Sequence, residues 1–242
     1  MCYNIRNNAI LKAAGAVVFA TVLCVGCYDL GIEPSVKPPV ITTFVDVRDG
    51  HVYKKEQIGD QIWMAENLNY AADGSMCNNN TYWNNPAFMC EIYGRLYDWY
   101  TAMGDEPSSS AIPSGVEGVC PVGWHLPSDA EWKKLIDYIG LHPGTKLKSH
   151  EWHDALAPGG TPTPDGRDIY NFSALPGGAG HHHDGKTDFI HLGDNGYWWS
   201  STEQESNENA AYVREIMGTS DGVGRFGMDK HAWFLSVRCV HD

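Results

Sequence analysis

The densest group of side chains suited to coordination or acid–base chemistry is Ala179-Gly180-His181-His182-His183-Asp184-Gly185, with Asp188 and His191 close behind. Neutral imidazoles and a carboxylate are good ligands for zinc, nickel or copper. Side chains alternate along an extended loop, so His181 and His183 could chelate one ion with His191, while His182 points the other way. A solvated polar loop is the preferred reading, and no cofactor is assigned. Catalytic patterns are missing: there is no Gly-x-Ser-x-Gly elbow, no His-Glu-x-x-His helix and no phosphate-cradling glycine loop. No catalytic residue is assigned and no enzyme is expected. Trp198-Trp199 offers a choice between a sugar-stacking platform and core, and core for both is preferred.

The elements that must position these groups are led by one helix. Ser128 can cap its first turn, Glu131 completes a capping box, and Asp129 sits at the positive end of the dipole. Trp132, Leu135, Ile136 and Ile139 form one apolar stripe and Gly140 ends it. A core helix explains His125 and Glu131 better than a catalytic role does. Phe44 to Tyr53 reads as a hairpin around Asp49-Gly50, and Gln57 to Met64 as a second around Gly59-Asp60. The pattern predicts a short helix over Tyr93–Met103, with Leu96, Tyr97 and Tyr100 inward. Strands are predicted at 196–202, 210–217 and 234–240, and irregular loops at 141–168 and 179–196.

Composition sets the outer limits. With 43% hydrophobic residues the chain can bury a core, while 26 Gly, 13 Pro and 12% aromatics point to a loop-rich fold. The formal charge of -13 becomes -15 once residues 1–26, which carry Arg6 and Lys12 but no acid, are removed. Such a charge repels nucleic acid and anionic membrane surfaces. Residues 1–26 read as a secretory signal, because a basic start precedes an apolar run, Ala13–Gly26, shorter than the roughly 20 residues of a spanning helix. The run ends Leu23-Cys24-Val25-Gly26-Cys27, which resembles a bacterial lipobox, although Cys24 is unusual there. Cys27 would then carry lipid and residues 27–40, with Pro34, Pro38 and Pro39, would be a tether to a domain at 41–242.

Four cysteines remain in that domain, Cys77, Cys90, Cys120 and Cys239, an even number in an oxidising compartment. Three pairings are possible. The simplest staples Cys77 to Cys90 around a local Asn-rich excursion and Cys120 to Cys239 across the helix entry and the final strand. A zinc site is the rival, but no CxxC spacing occurs.

A series of blocks carries a family resemblance. Ile58-Gly59-Asp60-Gln61-Ile62-Trp63-Met64-Ala65-Glu66-Asn67-Leu68-Asn69-Tyr70, Tyr93-Gly94-Arg95-Leu96-Tyr97, Gly123-Trp124-His125-Leu126-Pro127-Ser128, Ala174-Leu175-Pro176-Gly177-Gly178, Trp198-Trp199-Ser200-Ser201-Thr202 and Ser236-Val237-Arg238-Cys239-Val240 together resemble the Fibrobacter succinogenes major paralogous domain family. The resemblance implies an α+β, C-type-lectin-like fold: two short helices on small twisted antiparallel sheets, loop-rich and stapled by disulfides. It also implies an exported or surface protein, with distant similarity to the formylglycine-generating enzymes. Those enzymes need a reactive cysteine pair late in the chain, and only Cys239 follows Cys120. Calcium-dependent lectins carry Glu-Pro-Asn or Gln-Pro-Asp and Trp-Asn-Asp; here Glu106-Pro107-Ser108 lies before the main helix and Ser200-Ser201-Thr202 replaces the ligand strand.

The expected function is a lipid-anchored binding module of the outer membrane, facing the periplasm or the outside, whose partner is a glycan or a protein. A structural or adhesive role is the alternative and an enzyme the third reading. In a C-type-lectin-like fold the loops after the second helix form the ligand face. Trp152, His153, His181, His183 and Asp184, with His150 and Asp188, are therefore the candidate ligand-binding residues.

The anchor is directly testable. Cys27→Ser should release the protein from membranes into the aqueous phase of a detergent partition, and full retention in the detergent phase would refute lipidation.

Overall fold

A computed structural model of the chain describes residues 42–79, 85–152 and 166–242; Cys27 and His153 lie outside them. Turn dipeptides between alternating stretches build the first strands. β1 (Thr42–Val45) and β2 (Val52–Ile58) pair antiparallel across Asp49-Gly50, and β3 (Gln61–Met64) returns across Gly59-Asp60. Both hairpins match the turn chemistry of the sequence.

The next segment departs from expectation. In place of one helix over Tyr93–Met103 the chain forms α1 (Pro86–Tyr93), β4 (Leu96–Tyr97) and α2 (Trp99–Met103). Gly94, at φ 75°, causes the break: a Cβ there would lie 2.7 Å from the Asn67 Cβ and 2.9 Å from the Leu68 carbonyl oxygen. Only glycine lets the backbone press so closely. Arg95 N then donates to Leu68 O (3.0 Å), β4 extends, and Asp98 restarts a helix by accepting from Thr101 N (2.8 Å).

β5 (Trp124–His125) leads into α3 (Asp129–Ile139), whose capping box forms as expected. Ser128 Oγ accepts from Glu131 N (3.1 Å), and Glu131 Oε2 accepts from Ser128 N (2.9 Å). Glu131 Oε1 also meets His125 Nε2 at 2.8 Å, and Asp242 Oδ1 meets His125 Nδ1 at 2.7 Å. Burial opposes charge on this imidazole, yet the Glu131 and Asp242 carboxylates prevail and raise its pKa. Asp129 accepts from Arg214 (2.6 Å) and Arg225 (2.9 Å), tying the helix start to two later strands.

The stretch read as a loop after α3 holds α4 (Pro143–Leu147) and a single 3-10 turn at His150–Trp152. Seven strands complete the chain: β6 (Ala179–His183), β7 (Lys186–Ile190), β8 (Asn195–Gln204), β9 (Asn207–Met217), β10 (Gly224–Asp229), β11 (Trp233–Ser236) and β12 (Val240–His241). The expected loop at 179–196 is thus a hairpin for most of its length. Asp184 and Gly185 both take positive φ (49° and 73°), as a two-residue turn that follows strand twist requires.

The strands assemble into two sheets, one in the order β1-β2-β3-β12-β5, the other β10-β9-β8-β11-β6-β7 with β4 beside β11. The second is larger than expected and mixed, since β11 runs parallel to β8 at Ser236 and Trp198. With four helices among the described residues, the class is α+β. No described helix is long and apolar enough to cross a membrane.

Strand alternation in β8 organises the interior. Trp198 packs with Trp63, Trp132 and Phe172 in one core, while Trp199 joins Tyr53, Tyr97 and Trp99 in the other. Both indoles are 0% exposed, because the strand is covered on both faces. Each N–H is satisfied: Trp198 Nε1 donates to Asn67 Oδ1 (2.8 Å) and Trp199 Nε1 to Tyr97 O (2.7 Å).

Disulfides join Cys77 to Cys90 and Cys120 to Cys239, the simplest of the three pairings. The second spans 119 residues against 13 for the first. In the chain-entropy account a loop of the larger size contributes about 4–5 kcal/mol and the smaller about 3 kcal/mol. Urea unfolding of Cys120→Ala/Cys239→Ala should therefore show a larger loss than Cys77→Ala/Cys90→Ala; the reverse order would contradict this account.

Candidate functional site

Arg238 follows Val237 and precedes Cys239, and all three are fully buried. A guanidinium in such a place must find acceptors inside the protein. It finds three. Nη2 and Nε donate to Asn67 Oδ1 (2.7 and 3.2 Å), Nη1 to Phe172 O, and Nη2 to Ser173 O (3.2 Å). The Phe172 ring lies beneath it, with its centre 4.3 Å from Cζ. Asn67 also receives Trp198 Nε1 and donates Nδ2 to Tyr93 O (2.8 Å) and Ser236 Oγ (3.3 Å). No carboxylate touches the guanidinium in these contacts. Burial pushes its pKa down to about 9, while Asp168 and Glu66 act against that fall from a distance.

Above this node opens a cleft of about 470 Å³. One wall carries His51 and Lys54 of the first hairpin, Glu66, Asn67 and Asn69 after β3, and Glu91 of α1. The other carries Ser149, His150, Asp168 and Ser173. Two carboxylates are committed to holding these walls. Glu66 accepts from Lys54 N (2.9 Å) and Nζ (3.1 Å), and Asp168 accepts from Ser173 N (2.7 Å) and Oγ (2.6 Å). Glu91 and His150 stand exposed at the rim. The arrangement offers donors and acceptors on two facing walls, with a buried positive charge below.

The candidate ligand residues fall in different places. Trp152 is 2% exposed and belongs to the core, with Nε1 donating to Ala174 O (2.5 Å) and the Lys148 ammonium 5.2 Å from its ring centre. It offers no aromatic surface, which corrects that assignment; an indole so placed is worth more as packing than as a platform. His153 lies outside the described residues. His181 and His183 do share a face of β6, 5.2 Å apart, but His181 stacks on Trp233 (4.3 Å) and His183 Nε2 engages Asp188 (2.7 Å). Asp184 is the exposed turn residue. His191 is drawn away by the Tyr197 hydroxyl (2.7 Å), so the weak metal trio of His181, His183 and His191 does not converge. Among the described residues no group of three or more His, Cys, Asp or Glu is placed to hold a metal ion. His150 and Asp168, from the region 141–168, line the cleft, whereas no residue of 179–196 does.

The cleft was not legible beforehand, but one signal existed. Arg238 sits inside an apolar strand end, where a charge demands a partner.

Residues 57–241 match the Fibrobacter succinogenes major domain, and the chain belongs to that family. No curated protein and no solved structure matches it.

The polar node yields a stability test. Asn67→Leu leaves the Arg238 and Trp198 donors buried with fewer acceptors and should cost about 3–5 kcal/mol in urea unfolding. A loss below about 1 kcal/mol, the ordinary net worth of one hydrogen bond, would show that Asn67 is not the hub.

Proposed function

We propose that this chain is a lipid-anchored binding module of the outer membrane that holds a polar ligand, a glycan or a loop of another protein, in the cleft over Arg238. The observation that carries the reading is the cleft itself: two walls fixed by their own hydrogen bonds, lined by amide, imidazole, carboxylate and ammonium groups. Preorganised polar walls suit a ligand rich in hydroxyls or amides, because ordering them has already been met by folding. The anchor rests on the Gly26-Cys27 ending and the Pro-rich tether. A C-type-lectin-like arrangement is supported by family membership, by β12 lying between β3 and β5, and by the bond from the helix entry to the last strand. Formylglycine-generating chemistry has less support, since all four described cysteines are used in disulfides.

A structural or adhesive role is the second reading. It is favoured by exposed Val45, Val47, Val52 and Val122, which Arg48 draws together by donating to Val119 O (2.9 Å) and Cys120 O (3.1 Å) from the first hairpin.

A glycan array with the purified chain tests the first reading. A glycan signal that weakens about tenfold in Glu91→Gln and His150→Ala, at unchanged melting temperature, is the expected result. Binding that survives both changes but fails in His181→Ala/His183→Ala would move the site to the β6–β7 hairpin. An array without any glycan signal would leave the protein-contact reading.

A further inference from the structure

A second hollow, of about 700 Å³, lies between α4 and the turn after β9. Its walls are locked together backbone to backbone. Gly144 N donates to Asp221 O (2.8 Å), and a Cβ on Gly144 would lie 2.3 Å from Gly222 O, so no larger residue fits that contact. Lys148, fully buried, donates Nζ to Gly218 O (2.8 Å) and Ser220 O (2.7 Å), fixing the turn from below.

The charges in this hollow run against those of the whole protein. Lys146 and Arg167 line it, and among the described residues the one lining carboxylate, Asp221, is engaged by His142. Arg167 N donates to Thr145 O (2.9 Å), which sets its exposed side chain at the rim, and among the described residues no carboxylate pairs with it. Lys146 Nζ donates to Ile139 O (2.9 Å) and likewise has no acidic partner among them. In a chain of net charge -13 a polyanion is not attracted by the general field, so any anion bound here must be bound locally.

Size and lining narrow the ligand. A bare inorganic ion would occupy a small part of 700 Å³. Thr145, Thr219 and Ser220 line the hollow with the two cations and supply hydroxyls, and exposed Met217 adds an apolar edge. We infer that this hollow binds an acidic saccharide, its carboxylate or sulfate between Lys146 and Arg167 and its hydroxyls against Thr145, Thr219 and Ser220. The site is separate from the cleft over Arg238, and the two can fail independently.

Titration calorimetry of the purified full chain at low salt tests this. The probes are trigalacturonate, galactose 6-sulfate and neutral galactotriose. One of the two acidic sugars should bind at least about tenfold more tightly than galactotriose, and which one does so separates a carboxylate source from a sulfate ester. Arg167→Gln should weaken that binding about tenfold, and Arg167→Gln/Lys146→Gln should abolish it at an unchanged melting temperature. Glu91→Gln, in the other cleft, should leave it intact. Equal affinity for the neutral sugar, no binding of either acid, or indifference to the double change would overturn the assignment. Inorganic sulfate competing as strongly as the sugar would overturn its saccharide part.

Discussion

The positive charge of Arg238, placed where no water reaches it and with no adjoining carboxylate among the described residues, is the constraint that the rest of the structure has to meet. Taking such a group out of water costs several kcal/mol, offset only if acceptors are held in good geometry. Here they are the Asn67 amide and the adjoining carbonyls of Phe172 and Ser173, supplied by two distant parts of the chain. Asn67 is held in turn by Tyr93, Trp198 and Ser236. A shift of any one of these segments exposes an unpaired donor on another. The family-like blocks therefore meet at one point: the segment after β3, the end of α1, the central strand β8 and the end of β11 share a single hydrogen-bonded node. The polar cleft follows from that geometry, because its walls are the segments that supply the node.

How much of this the sequence reveals depends on how local the cause is. The α3 capping box, the Asp49-Gly50 and Gly59-Asp60 turns and the stripe of Trp132, Leu135 and Ile139 need only neighbours along the chain, and they formed as read. Breaks imposed from afar are different. The helix expected across Tyr93–Met103 is interrupted because Gly94 must lie against Asn67, a contact no window of sequence displays. The Asp184-Gly185 turn carried the same signal as Asp49-Gly50, but three histidines drew attention to ligand chemistry and away from strand pairing. β10, an edge strand with two glycines, shows little apolar pattern of its own and depends on β9 for its existence.

The candidate site follows the same rule. Side-chain type pointed to His181, His183 and Trp152, and tertiary contacts redirected them, the imidazoles to Trp233 and Asp188 and the indole to the core. What lines the cleft is a set of ordinary residues, among them Asn69, Glu91 and His150, whose significance lies in being brought together. Arg167 and Asp168 show how fine the division is: consecutive in the chain, one lines the basic hollow and the other the cleft.

The bond between Cys120 and Cys239 has a topological consequence. It closes a ring that contains α3, α4 and every strand from β5 to β11. A protease that cuts the backbone once, anywhere within that ring, produces no free fragment, since the two pieces stay joined through sulfur. The walls of the cleft are divided between the ring and the chain before it, with His51, Asn69 and Glu91 outside and Ser149, Asp168 and Ser173 inside. A molecule nicked between Cys120 and Ser149 thus keeps both walls on one covalent body, whereas the same molecule once reduced does not.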